Sequence, residues 1–89
     1  MAIVKKLNGH TPRFGKNCFL ADNAAIIGDV EMGDDCSIWF GAVLRGDVHE
    51  IRIGNKVNIQ DNATIHATYQ KYPTHIGNNV SIAHNAVVH

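Results

Sequence analysis

The chain has 89 residues, and its 8 Lys+Arg balance its 8 Asp+Glu. That length holds at most one domain, and the even charge offers no basic surface to draw nucleic acid or an anionic membrane. No apolar run approaches the ~20 residues that cross a bilayer, and residues 1–6 lack the apolar stretch of a secretory leader, so a cytoplasmic protein is expected.

In chain order, the first element is a repeat. Leu20, Ile26, Met32, Ile38 and Leu44 follow one another at six-residue steps. The step resumes at Ile53, Ile59 and Ile65, and again at Ile76, Ile82 and Val88. Two places before each of these stands a small or aliphatic residue: Cys18, Ala24, Val30, Cys36, Ala42, Ile51, Val57, Ala63, Thr74, Val80 and Ala86. In a strand, residues two apart share a face, so each pair fills a narrow core. Intervening polar residues such as Asp29, Asp35, Lys56, Asn62 and Asn79 should point outward. Glycine, Asn and Asp after the marked positions (Gly28, Gly33, Asp34, Gly46, Gly54, Asp61, Gly77, Asn78) suit tight corners. The expected fold is an all-β, left-handed parallel β-helix: a triangular prism of hexapeptide repeats with roughly three and a half coils. It forms a single domain over residues 1–89.

Two insertions break the register. Leu44 to Ile53 spans nine residues, three too many, around Val48, His49 and Glu50. Ile65 to Ile76 spans eleven, five too many, around residues 69–73. Insertions in repeat proteins become loops on one face, often the binding face.

Stacking the coils in threes gathers histidines. Ile26, Leu44, Ile65 and Val88 fall in one column, followed by Ile27, Arg45, His66 and His89. His66 and His89 therefore occupy equivalent places in adjacent coils, and parallel strands lie ~4.8 Å apart. A different column, Leu20, Ile38, Ile59 and Ile82, leads two residues later to Asp61 and His84. His84 leaves from another corner, so it joins the pair most easily from a neighbouring subunit around a three-fold axis. Three imidazoles with one open position are the ligand set of a hydrolytic zinc site, whose metal lowers the pKa of bound water to ~7. Iron or cobalt suits the same donors.

Three segments now carry a resemblance. Residues 38–47, IWFGAVLRGD, residues 58–66, NIQDNATIH, and residues 76–89, IGNNVSIAHNAVVH, resemble the signature of the γ-class carbonic anhydrase-like family. The resemblance implies a homotrimer with zinc at each subunit interface, held by His66 and His89 of one chain and His84 of the next. It implies that Gln60 orients the zinc-bound hydroxide. It also implies that Arg45, Asp47 and Asp61 form an ion-pair and hydrogen-bond network across the interface. Trp39 and Asn58 share these segments without an assigned chemistry. Val48 stands where the archetypal enzyme has a proton-shuttling glutamate, and the acidic loop after the first ligand is shortened; Glu50 or Tyr69 is the substitute candidate. Family members continue through further coils to a C-terminal helix, so a truncated form is expected.

The expected function is reversible hydration of carbon dioxide, a small-molecule substrate, with no nucleic-acid or membrane partner. One alternative is acyl transfer or thioester hydrolysis on acyl-coenzyme A; another is an inactive metal-binding trimeric scaffold. Cys18 and Cys36, one coil apart in the inward column, are expected to be reduced core thiols. His10, His49 and His75 are expected to be solvated, and Arg45-Gly46-Asp47 reads as a turn with an ion pair. Tyr69 and Tyr72 fall in the second insertion.

Overall fold

The computed structural model describes residues 2–67 and 72–89, and it contains ten parallel strands and, among those residues, no helix. The strands are β1 (Ile3–Lys5), β2 (Phe19–Leu20), β3 (Ala25–Met32), β4 (Ser37–Ile38), β5 (Val43–Ile53), β6 (Asn58–Ile59), β7 (Thr64–His66), β8 (Thr74–Ile76), β9 (Ser81–Ile82) and β10 (Val87–Val88). One sheet runs β2-β4-β6-β9; the other runs β1-β3-β5-β7-β10, with β8 also on β5. The first sheet is one face of a prism. The long strands β3 and β5 turn a corner and serve the other two faces, so β7 and β8 pair with opposite halves of β5. The result is a left-handed parallel β-helix of about four turns.

The register follows the six-residue spacing. Leu20, Ile38, Ile59 and Ile82 are partners along the first face. Ile26, Leu44, Ile65 and Val88 stack on the second. Met32, Ile53 and Ile76 stack on the third. Of these residues and the small ones two places earlier, Ala24, Ile26, Ile38, Ala42, Leu44, Ile51, Ile59, Ala63 and Ile65 are fully excluded from solvent, and Cys18, Leu20, Ile76, Val80, Ile82 and Val88 pack, partly buried, against that core.

Three features depart from the expectation. An additional rung lies below the first marked residue: Ile3–Lys5 pairs with β3, and Arg13 pairs with Glu31. Its residues break the hexapeptide spacing, which hid it. Second, Asp35, Lys56, Asn62 and Asn79 are more than outward side chains; they are the corner residues themselves, with φ of 58°, 57°, 61° and 59°. Asn, Asp and Gly tolerate this left-handed conformation best, so Lys56 is the strained member. Third, the first insertion is no free loop but a bulge inside β5: Gly28 pairs with Gly46 and Val30 with Ile51, leaving residues 47–50 opposite Asp29 alone. The second insertion lies largely in residues 68–71, outside the described residues, as does Tyr69; Tyr72 is exposed.

Side chains close one corner. The Asp34 carboxylate accepts from the Lys16 amide at 2.8 Å, the Asn55 oxygen from the Asp34 amide at 2.7 Å, and the Asn78 oxygen from the Asn55 amide at 2.7 Å. Each Asx residue thus satisfies a backbone donor of the rung before it. The preceding glycines leave room for those oxygens: a Cβ on Gly54 would meet the Asn78 oxygen at 2.3 Å. Beside this corner the Cys18 and Cys36 thiols are free, donating to the Gly33 and Gly54 carbonyls at 3.3 and 3.2 Å. No described helix is long and apolar enough to cross a membrane.

Candidate functional site

His66 ends β7 and His89 follows β10, and these two strands are in register through Thr64–Val87 and Ile65–Val88. Alternation turns Ile65 and Val88 inward and sends the next side chain out, so both imidazoles leave the same face one rung apart. Their ring centroids are 5.3 Å apart and their planes differ by 12°. The His66 Nδ1 lies 3.4 Å from the Ala67 carbonyl, and the tautomer donating there leaves Nε2 as the free lone pair. The Thr74 hydroxyl donates to the His66 carbonyl at 2.9 Å and ties the start of β8 to the end of β7.

Arg45 is the rung neighbour of His66, and its Nε lies 3.3 Å from Asp47 Oδ2. The other carboxylate oxygen of Asp47 is buried and, among the described residues, has no hydrogen-bond partner. Asp61 takes no part in this pair: its carboxylate makes no ion pair among the described residues, and it stands on a different corner. Of the network expected across the subunit interface, the part formed within one chain is Arg45–Asp47.

Gln60, Asp61 and His84 sit together on the corner that follows the first face. Gln60 is half-buried and its amide donates to the Ile82 carbonyl at 3.0 Å. Asn85 donates to the Asp61 carbonyl at 3.0 Å, which places His84 directly over Asp61. Both are exposed. The structure therefore brings His66 and His89 together and leaves His84 at a separate edge; among the described residues no three His, Cys, Asp or Glu side chains converge. Two facing imidazoles suit two positions of a tetrahedral metal.

Outside the expected set, a row of charges crosses the third face. Arg13 pairs with Glu31, Glu31 with Arg52 and Arg52 with His75 in strand register. Arg52 reaches Asp29 at 2.9 Å and Glu31 at 3.2 Å. Their charges hold its guanidinium above its ordinary value, against the opposing effect of burial. His75 Nε2 meets Glu50 Oε2 at 2.9 Å, and that hydrogen bond, assisted by Arg52, holds the Glu50 carboxyl below the usual carboxylate range. His75 is thus partnered rather than merely solvated, and His10 lies 3.7 Å from Asp29. The signal was present in the sequence: Glu31, Arg52 and His75 each precede a marked aliphatic residue.

With this geometry in place, comparison with known proteins is informative. The bacterial transferase hexapeptide (six repeats) family model matches residues 11–46. The carbonic anhydrase of Geobacillus kaustophilus is 47% identical over 64 residues, covering 72% of this chain and 35% of that protein. The mitochondrial gamma carbonic anhydrase 2 of Arabidopsis thaliana is 50% identical over 56 residues, covering 63% and 20%. The crystal structure of a hexapeptide transferase family protein from Anaplasma phagocytophilum superposes with a TM-score of 0.88 at 42% identity, covering 96% of this chain and 49% of that one. The chain spans less than half the length of each.

Proposed function

The chain belongs to the hexapeptide-repeat β-helix proteins of the γ-class carbonic anhydrase type, and from that premise we propose that it is a metal-dependent hydratase of carbon dioxide, assembled as a homotrimer. The observation that carries this reading is the pair of facing imidazoles, His66 and His89, 5.3 Å apart on neighbouring rungs. They would hold zinc together with His84 of an adjacent subunit. When bound, such a metal supplies Lewis acidity that ionises water near neutral pH. The chain's own residues do the rest. Gln60, beside the His84 corner, would accept and donate hydrogen bonds that orient the attacking water. Arg45 and Asp47 would fix the subunit edge beside His66, the free Asp47 oxygen taking a donor from the neighbouring chain, and Asp61 would serve that seam from its own corner. Iron or cobalt would suit the same donors.

A second reading, acyl transfer on a coenzyme A substrate, is favoured by the transferase name of the structural relative. Metal content separates the two, because that chemistry needs a histidine base and no metal. The purified chain should bind one zinc per subunit and hydrate carbon dioxide in stopped-flow assays, with activity lost on chelation. His84→Ala should weaken zinc binding by more than the ~10–100-fold typical of changes outside the ligand set; unaltered zinc occupancy would refute the site. Mixing His84→Ala chains with His66→Ala chains should restore zinc at mixed interfaces, which ligands confined to one chain cannot do.

A further inference from the structure

We propose that Cys18 and Cys36 form a two-coordinate site for a soft monovalent cation of the copper(I) class, on the inner wall of the first face. The site is independent of the hydratase reading. Phe19 and Ser37 are register partners, so the cysteines that precede them occupy equivalent places in adjacent rungs. The Phe19 amide donates to the Cys36 carbonyl at 2.9 Å and joins the rungs at that point. Each thiol makes matching contacts. Cys18 Sγ lies 3.3 Å from the Gly33 carbonyl and 3.8 Å from that of Lys16; Cys36 Sγ lies 3.2 Å from the Gly54 carbonyl and 3.6 Å from that of Asp34. The two side chains are therefore related by one rung, which sets their sulfurs one strand spacing, ~4.8 Å, apart.

That spacing decides between two chemistries. A disulfide needs Cβ atoms ~3.5–4.5 Å apart, closer than parallel neighbours in register stand. Two metal–sulfur bonds of about 2.3 Å laid end to end come close to one strand spacing. Thiolate sulfur selects soft cations such as copper(I), and linear coordination asks for no third donor. Among the described residues no third His, Cys, Asp or Glu converges on the pair, so a tetrahedral ion such as zinc lacks ligands there. Cys36 is buried and Cys18 partly so, and Val57 and Val80 continue the inward column above them. Binding breaks two S–H bonds, forms two Cu–S bonds and releases two protons, while copper keeps its oxidation state. The complex carries one negative charge. Burial opposes ionisation of Cys36, so the cation must bond sulfur tightly; the Val57 and Lys56 amides favour the ionised sulfur and offset part of that cost.

The test adds copper(I) without oxygen to the reduced chain, in competition with the chelator bicinchoninate. One copper(I) per chain should resist the competitor, and X-ray absorption should show two sulfur neighbours and no nitrogen. Iodoacetamide should label Cys18 in the metal-free folded chain and leave it unlabelled in the copper-loaded one. Cys18→Ser should lose the resistant copper. Because Cys36 is buried, X-ray absorption on the wild type tests the pair with no substitution in the core. Nitrogen around the copper, two resistant coppers per chain, copper retained by Cys18→Ser, or a Cys18–Cys36 disulfide formed in the folded chain by mild peroxide would each overturn the site.

Discussion

Glu50 shows how one side chain can be read at the bedside of its neighbours. The His75 hydrogen bond chiefly favours its ionised form; desolvation, next in size, opposes it, and the Arg52 charge adds a smaller favourable contribution. A carboxyl depressed on folding contributes stability above its unfolded pKa, and that contribution is lost as the pH falls through its folded value. The melting-temperature gap between wild type and Glu50→Gln should therefore shrink as the pH drops below the carboxylate range, and a gap independent of pH would argue against the Glu50–His75 bond. Cys36 behaves in the opposite sense: burial, chiefly, pushes its thiol up, so it stays protonated at neutral pH. Cys18 is the more exposed of the two thiols. Thiol alkylation followed by mass spectrometry should modify Cys18 first and Cys36 only on unfolding.

At the scale of single elements, the corners decide what was legible. Aliphatic spacing located every buried residue of the three columns, because inward packing imposes a period on the sequence. Gly28 is left-handed as expected, but Asp35, Lys56 and Asn79 take that conformation two places after Gly33, Gly54 and Gly77, since Asn and Asp side chains, and not glycine alone, can occupy it. Lys56 has no such local compensation, so Lys56→Asn should raise stability by about 0.5–1 kcal/mol in denaturant titrations, an increment set by backbone strain. Asn55→Ala removes an acceptor from the Asp34 amide and should cost about 1 kcal/mol in the same titrations. The bulge in β5 was visible as three surplus residues, but whether surplus becomes loop or bulge depends on hydrogen bonds to the adjoining rung, which spacing does not encode.

For the molecule as a whole, the candidate site divides along the same line. The pairing of His66 with His89 follows from register alone and was readable from the order of residues. The separation of His84 from them was readable too, and the Arg45–Asp47 pair forms within the chain. If the metal bridges subunits, then chelation should convert trimers into smaller species in analytical ultracentrifugation, and zinc should restore them; an assembly indifferent to chelator would place the metal elsewhere.

The in-register columns also set a grammar for change. Phe19 sits on Ser37, Ser37 on Asn58 and Asn58 on Ser81, so successive turns already differ in length while the faces stay aligned. Extra residues placed at a bulge, as in β5, leave the ladder untouched, and foreign peptide grafted between Val48 and His49 should be carried without loss of folding. Removing a single residue between Val57 and Ala63 has no such outlet: it would exchange inside for outside along the remainder of that turn.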